Sequence, residues 1–169
     1  MKNEIVHSFE ETTHSLLKAL QSFDEQSINE IPFEGSWTAA QVTDHILKSQ
    51  AGLPHLLGGK IESTDRNPNE KTAGIKKIFL DYGIKMKSPD FILPSLEPQD
   101  KEALIKKVED TSKNIIEAMH KGDLNKVCQD FELPNMGLLT GSEWSWFAIY
   151  HTQRHVHQLN NIHTSIASL

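Results

Sequence analysis

The sequence predicts an all-α fold: a four-helix bundle with long connections between its second and third and between its third and fourth helices. Three observations carry this. Four long segments repeat their apolar residues with the 3.6-residue helical period. Almost nothing alternates with period two for any length. Stop signals (Pro32 with Gly35, Gly58 with Gly59, and Gly122) fall between the segments. The long connections point to a bundle that is not simply up-down-up-down.

The first helix is expected over roughly residues 3 to 29. Ile5, Val6, Phe9, Thr13, Leu16, Leu17, Leu20 and Phe23 form its apolar stripe, and Glu10, Glu11, Lys18 and Gln21 cover the rest. The second opens at Ser36 as N-cap and runs from Trp37 to about Leu57. The third begins near Pro98, whose fixed φ suits a first helical turn, and carries Leu104, Val108, Ile115 and Met119 to Gly122. The fourth starts at Thr140, with Glu143 completing a capping box, and continues towards the C-terminus. Long structureless loops are uncommon in compact domains, so part of Gly59 to Glu97 should be ordered and cover a site, with a short helix at Gly74 to Leu80. Lys121 to Leu139 reads as a short strand or hairpin.

The chain has 169 residues, which fits one domain spanning 1–169. Its net charge of -6 supplies no positive field for a phosphate backbone, so nucleic acid is excluded as a first partner. With Cys128 as the sole cysteine, neither an intrachain disulfide nor a thiolate zinc ribbon can form. Met1-Lys2-Asn3-Glu4 leads into an amphipathic segment without a signal-peptide core, and no run of apolar residues is long enough to span a bilayer. The expectation is a cytoplasmic protein acting on a small molecule.

Nine histidines are about twice ordinary usage and need an explanation. At 100° per residue, His151 and His155 lie about 40° apart, in the middle of the stripe of Trp144, Phe147, Leu159 and Ile162. Two imidazoles at i, i+4 can share one divalent cation, as in the H-E-x-x-H zinc helix. Here Thr152-Gln153-Arg154 stands between them, so the glutamate of that peptidase signature is missing. On the second helix His45 occupies the centre of the stripe of Thr38, Gln41, Val42, Ser49 and Leu53. A buried imidazole without a partner costs a few kcal/mol, and a metal ion shared by all three resolves that cost. A histidine hydrogen-bonded in a core remains the competing reading for each alone. His7, His14, His120, His157 and His163 read as solvated or helix-end residues, and His55 as a reserve pocket residue.

The segments Trp37-Thr-Ala-Ala-Gln-Val-Thr-Asp-His45 and Glu143-Trp-Ser-Trp-Phe-Ala-Ile-Tyr-His151-Thr-Gln-Arg-His155 resemble the two signature helices of the DinB/YfiT-like superfamily. The likeness covers nearly the whole chain. It implies a four-helix bundle binding a divalent transition metal, zinc, nickel or similar, through His45, His151 and His155. It also implies a homodimer, and an activity among thiol S-transferases and metal-dependent hydrolases.

A three-histidine cation with an open position has two uses. It can activate water for hydrolysis, or the sulfur of an external low-molecular-weight thiol for attack on an electrophile. The resemblance favours thiol transfer; hydrolysis and a catalytically idle metal-binding scaffold are the alternatives. Gln41 and Gln158 can orient a substrate or fill the core edge. Arg154 can clamp a substrate carboxylate or make a surface ion pair, and Asp44 and Tyr150 flank ligands but point elsewhere. Trp37, Trp144, Trp146 and Phe147 read as core and interface aromatics, Lys85 and Lys87 as solvated loop, and Cys128 as a small apolar filler.

Overall fold

The computed structural model describes residues 1–168, which form six α-helices, two single-turn 3-10 helices and two short strands. Helix α1 (Lys2–Gln21) ends well before the expected boundary. The Asp24 carboxylate accepts from the amides of Gln26 (3.1 Å) and Ser27 (2.7 Å), so side chain replaces helix as their acceptor and a 3-10 turn follows over Ser27–Asn29.

The second helix is divided into α2 (Ala39–Gln50) and α3 (Leu53–Gly58). Its N-cap is Thr38, not Ser36. Three residues beyond Thr38 stands Gln41, which returns the hydrogen bond of a capping box, whereas Ser36 has only Ala39 there. The break follows from Pro54, whose ring cannot coexist with an unbroken helix past the Gln50 carbonyl. The first connection contributes β1 (Ile61–Glu62) and α4 (Thr72–Leu80), the short helix expected there. Helix α5 (Lys101–Lys121) starts later than Pro98, because the Asp100 side chain caps it by accepting from the Ala103 amide at 2.7 Å. The second connection supplies β2 (Val127–Cys128), which pairs antiparallel with β1, so the two long connections hold each other. Thr140 and Glu143 form the expected capping box at the start of α6 (Gly141–Ala167).

Helix α1 packs against α5 and α6, and α2 packs against the same two, so the sequential pair α1 and α2 occupies opposite corners of the four-helix bundle. Two apolar clusters fill it. One gathers Ile5, Phe9, Leu53, Leu57, Ile115, Trp144 and Ile149; the other gathers Leu16, Leu20, Phe23, Val42, Ile46, Leu104, Leu159 and Ile162. On α6 these clusters leave residues 151 to 155 between them. There the interior turns polar: Gln50 donates to Thr152 at 2.9 Å and Gln153 to Thr12 at 3.3 Å. This polar layer is where the histidines converge. No helix among the described residues is long and apolar enough to cross a membrane.

Candidate metal centre

His45 from the middle of α2 meets His151 and His155 from successive turns of α6, all three buried. The Nε2 atoms of His45 and His155 each lie 3.1 Å from Nε2 of His151. One ligand nitrogen from each ring falls within 4.8 Å of the others, the one group of its kind among the described residues. The three sequence-predicted ligands are thus brought together.

The outer nitrogens fix the tautomers. His45 Nδ1 lies 2.9 Å from the Ile92 carbonyl, which can only accept, so the proton sits on Nδ1. His155 Nδ1 faces Gln158 Oε1 at 2.8 Å and is a donor by the same reasoning. Ser49 Oγ spends its hydrogen on the Ile46 carbonyl at 2.7 Å and accepts from His151 Nδ1 at 3.2 Å. Each ring therefore turns an unprotonated Nε2 inward. Three lone pairs facing one another repel, and a cation between them converts that repulsion into coordination. Two nitrogens bound at tetrahedral angles to one zinc lie roughly 3.3 Å apart, close to the observed separations. The donor set fits a borderline transition ion and leaves a coordination position open.

Burial keeps the imidazoles neutral. It holds His151 well below the ordinary range, and repulsion from any positive charge on His155 or His45, and from Arg154, works in the same direction. Burial, then His45, lowers His155 to about 4 against the opposing Gln158 bond. His45 is also lowered by burial, with the Ile92 carbonyl working the other way. Neutral rings are the form a metal needs.

The triad forms part of the wall of a cavity of about 1330 Å³. Trp37, Trp144 and Phe147, which pack in or against the apolar clusters as expected, also line it, so these core aromatics are site walls as well. Phe147 stacks on His151 (centroids 5.5 Å, interplanar 16°), and Trp37 leans on His45 at 5.1 Å. His55 lines the cavity 3.5 Å from Asp130. His157, expected to be merely solvated, stacks on Tyr82 at 4.0 Å at the same cavity. Lys85 and Lys87 are exposed, as expected, and line it too.

Gln158 supports a ligand, as described. Gln41 does not face the cavity, because its carbonyl is held by the Thr38 amide at 3.0 Å in the capping box. Arg154 borders the cavity, but its guanidinium is neither a carboxylate clamp nor a surface ion pair. It donates to the carbonyls of Phe79 (3.3 Å), Asp81 (2.9 Å) and Ile84, tying the covering segment to α6. Asp44 accepts from the Ser95 amide at 2.8 Å and pairs with Lys48, which in turn donates to the Leu93 carbonyl. Tyr150 is buried against Trp146, away from the triad.

Sequence reasoning missed a further anchor. Glu143 is completely buried and pairs with both terminal nitrogens of Arg66, at 2.7 and 2.8 Å, while accepting from the Lys71 amide at 2.8 Å. Burial raises its carboxyl, but Arg66 and the amides of Thr140 and Lys71 outweigh that and hold it below the usual range. The fully buried capping-box glutamate was legible as a cap; its long-range partner was not.

The sequence matches the DinB superfamily over residues 8–159. The chain belongs to this superfamily. Two solved structures share its fold. TT2238, described as a four-helix bundle protein, is 18% identical with a TM-score of 0.60, over 95% of this chain and 99% of that one. YfiT from Bacillus subtilis, described as a probable metal-dependent hydrolase with an unusual four-helix bundle topology, is 12% identical with a TM-score of 0.63, over 98% of this chain and 87% of that one. No curated protein matches the sequence.

Proposed function

We propose that this DinB-superfamily protein is a metal-dependent enzyme that joins an external low-molecular-weight thiol to a small apolar electrophile. The observation that carries the reading is the convergence of three unprotonated Nε2 atoms on the wall of a large aromatic cavity. A divalent cation held by His45, His151 and His155 supplies Lewis acidity towards a sulfur or oxygen nucleophile.

The surrounding residues favour sulfur. Asp130 is the only carboxylate lining the cavity among the described residues, and it stands beside His55 and not beside the triad. Attack by water is helped by a base near the metal, whereas a thiol starts from a pKa of about 8.5 and needs far less assistance. The chain's own thiol does not qualify. Cys128 is buried outside the cavity lining, and burial, then Asp130, pushes it up to about 11. At about 1330 Å³ the cavity exceeds the roughly 300–1,000 Å³ typical of one small-molecule site, so it accommodates a thiol and an electrophile together. Trp144, a lining residue, has a buried indole N–H without a partner among the described residues, which an acceptor on a ligand would satisfy. Lys85 and Lys87 line the cavity without a carboxylate partner among the described residues, while Asp130 faces His55, so anionic groups are favoured in a chain of net charge -6.

Hydrolysis is the second reading, favoured by the description of YfiT as a probable metal-dependent hydrolase. The deciding experiment uses untagged protein loaded with zinc or nickel. Glutathione, coenzyme A, bacillithiol and mycothiol are each offered with a chlorodinitrobenzene electrophile, in parallel with an ester and amide panel. Thiol-dependent turnover lost on chelation supports the proposal. Turnover confined to esters or amides replaces it with hydrolysis, and tight metal binding without turnover in either panel replaces it with a metal-binding scaffold.

A further inference from the structure

Residues 81–95 run from the end of α4 across the cavity without a buried side chain: residues 81–97 are all exposed or half-buried, with Phe91 69% exposed. No hydrophobic core holds this strap in place. Its seating depends on the Arg154 bonds to the Phe79, Asp81 and Ile84 carbonyls, on Lys48 to Leu93 at 2.8 Å, on Asp44 to Ser95 at 2.8 Å, and on the Tyr82 stack with His157. Within the same strap lies the Ile92 carbonyl that fixes the His45 ring at 2.9 Å, with the Ser88 hydroxyl 3.4 Å from the same Nδ1. When the strap lifts, His45 loses the partner that keeps its proton on Nδ1 and its Nε2 aimed inward.

We infer that the strap and the metal site are coupled, and that Arg154 is a positioning residue that sets metal affinity by seating the strap. The inference rests on the proposed metal site and adds a device to it. Coupling of this kind is reciprocal: whatever the seated strap adds to cation affinity, the bound cation returns as stability of the seated strap. The strap is therefore tight when the site is loaded and loose when it is empty, which widens the access of ligands to the cavity it borders.

Trypsin reads the strap directly, because Lys85 and Lys87 are exposed within it. The test is limited digestion of the full chain with and without zinc, following cleavage after these two lysines, with cleavage after Lys106 in α5 as the control for global unfolding. Zinc affinity is measured alongside by competition with a chromogenic chelator. Zinc is expected to slow strap cleavage severalfold while leaving α5 unchanged. Arg154→Gln is expected to weaken zinc binding on the order of tenfold and abolish the protection, with the melting temperature of the zinc-free protein little altered. If Arg154→Gln fails to fold, Lys48→Met, which removes the bond to the Leu93 carbonyl, makes the same comparison.

Unchanged zinc affinity in a variant whose strap is cut faster overturns the coupling. So does a strap in the wild type that zinc does not protect. Either result leaves the metal site intact. Failure of the wild type to bind zinc or any other divalent transition ion sinks the proposed function together with this inference.

Discussion

Acidifying the metal-free protein tests the reading of the triad most directly. An unfolded histidine titrates near 6.5, whereas burial lowers His155 in the folded protein to about 4. Between those values the unfolded chain binds the extra proton, so stability rises with pH across the window and is lost as pH falls through it. From pH 7.5 to pH 5 the unfolded imidazole goes from nearly neutral to nearly fully charged while His155 stays largely neutral, which removes about 2 kcal/mol at about 1.36 kcal/mol per pKa unit. His45 and His151 are lowered in the same direction and add to the loss. The assay is urea unfolding in a chelator at several pH values, for wild type and for His155→Asn, which cannot titrate. The stability gap between the two should change by about 2 kcal/mol over this range. A gap that stays constant with pH would refute the buried neutral triad.

Four further outcomes are expected. Zinc at a hundredfold excess over its Kd should stabilise the wild type by about 2.7 kcal/mol, seen as a rise in melting temperature, and His151→Ala should abolish that rise. Arg66→Met leaves the Glu143 carboxylate buried without its cation and should cost about 3 kcal/mol in chemical denaturation, with a loss under 1 kcal/mol counting against a structural role for the pair. Cys128, buried with its thiol pushed up to about 11, should react with a disulfide reagent only on unfolding, and Cys128→Ala should keep any thiol-transfer activity. In displacement of a fluorescent apolar dye, a medium-chain carboxylate should bind better than the amine of equal length, and Lys85→Gln with Lys87→Gln should narrow the difference severalfold.

Much of the centre was legible in one dimension because it lies on two regular helices. His151 and His155 share a face by periodicity alone, and His45 falls on the buried stripe of its own helix, so each ligand is fixed by local rules. Thr140 with Glu143 and the short helix before Leu80 are local signals of the same kind. Where the expected helix ends and Gln41 failed, a competing local feature had taken over, whereas Arg154 was claimed by carbonyls far along the chain. Gln41 went to its cap, Asp24 ended the first helix, and Pro54 split the second. The two-residue strands β1 and β2 are too short to show any alternation, and their pairing joins segments far apart in the chain.

The sequence by itself determined the four amphipathic stretches of the bundle, the stop signals between them and three inward-facing histidines, because each follows from helical spacing and from side chains a few residues apart. Tertiary structure alone decided the rest. It placed α1 and α2 on opposite corners, tied the first connection to α6 by Arg66 on Glu143 and by Arg154 on the Asp81 carbonyl, and set the Ile92 carbonyl against His45. The physical reason is that an Arg66 to Glu143 pair or a carbonyl on a ligand ring is chosen by which surfaces meet once the helices have packed. No periodicity in the chain records that meeting.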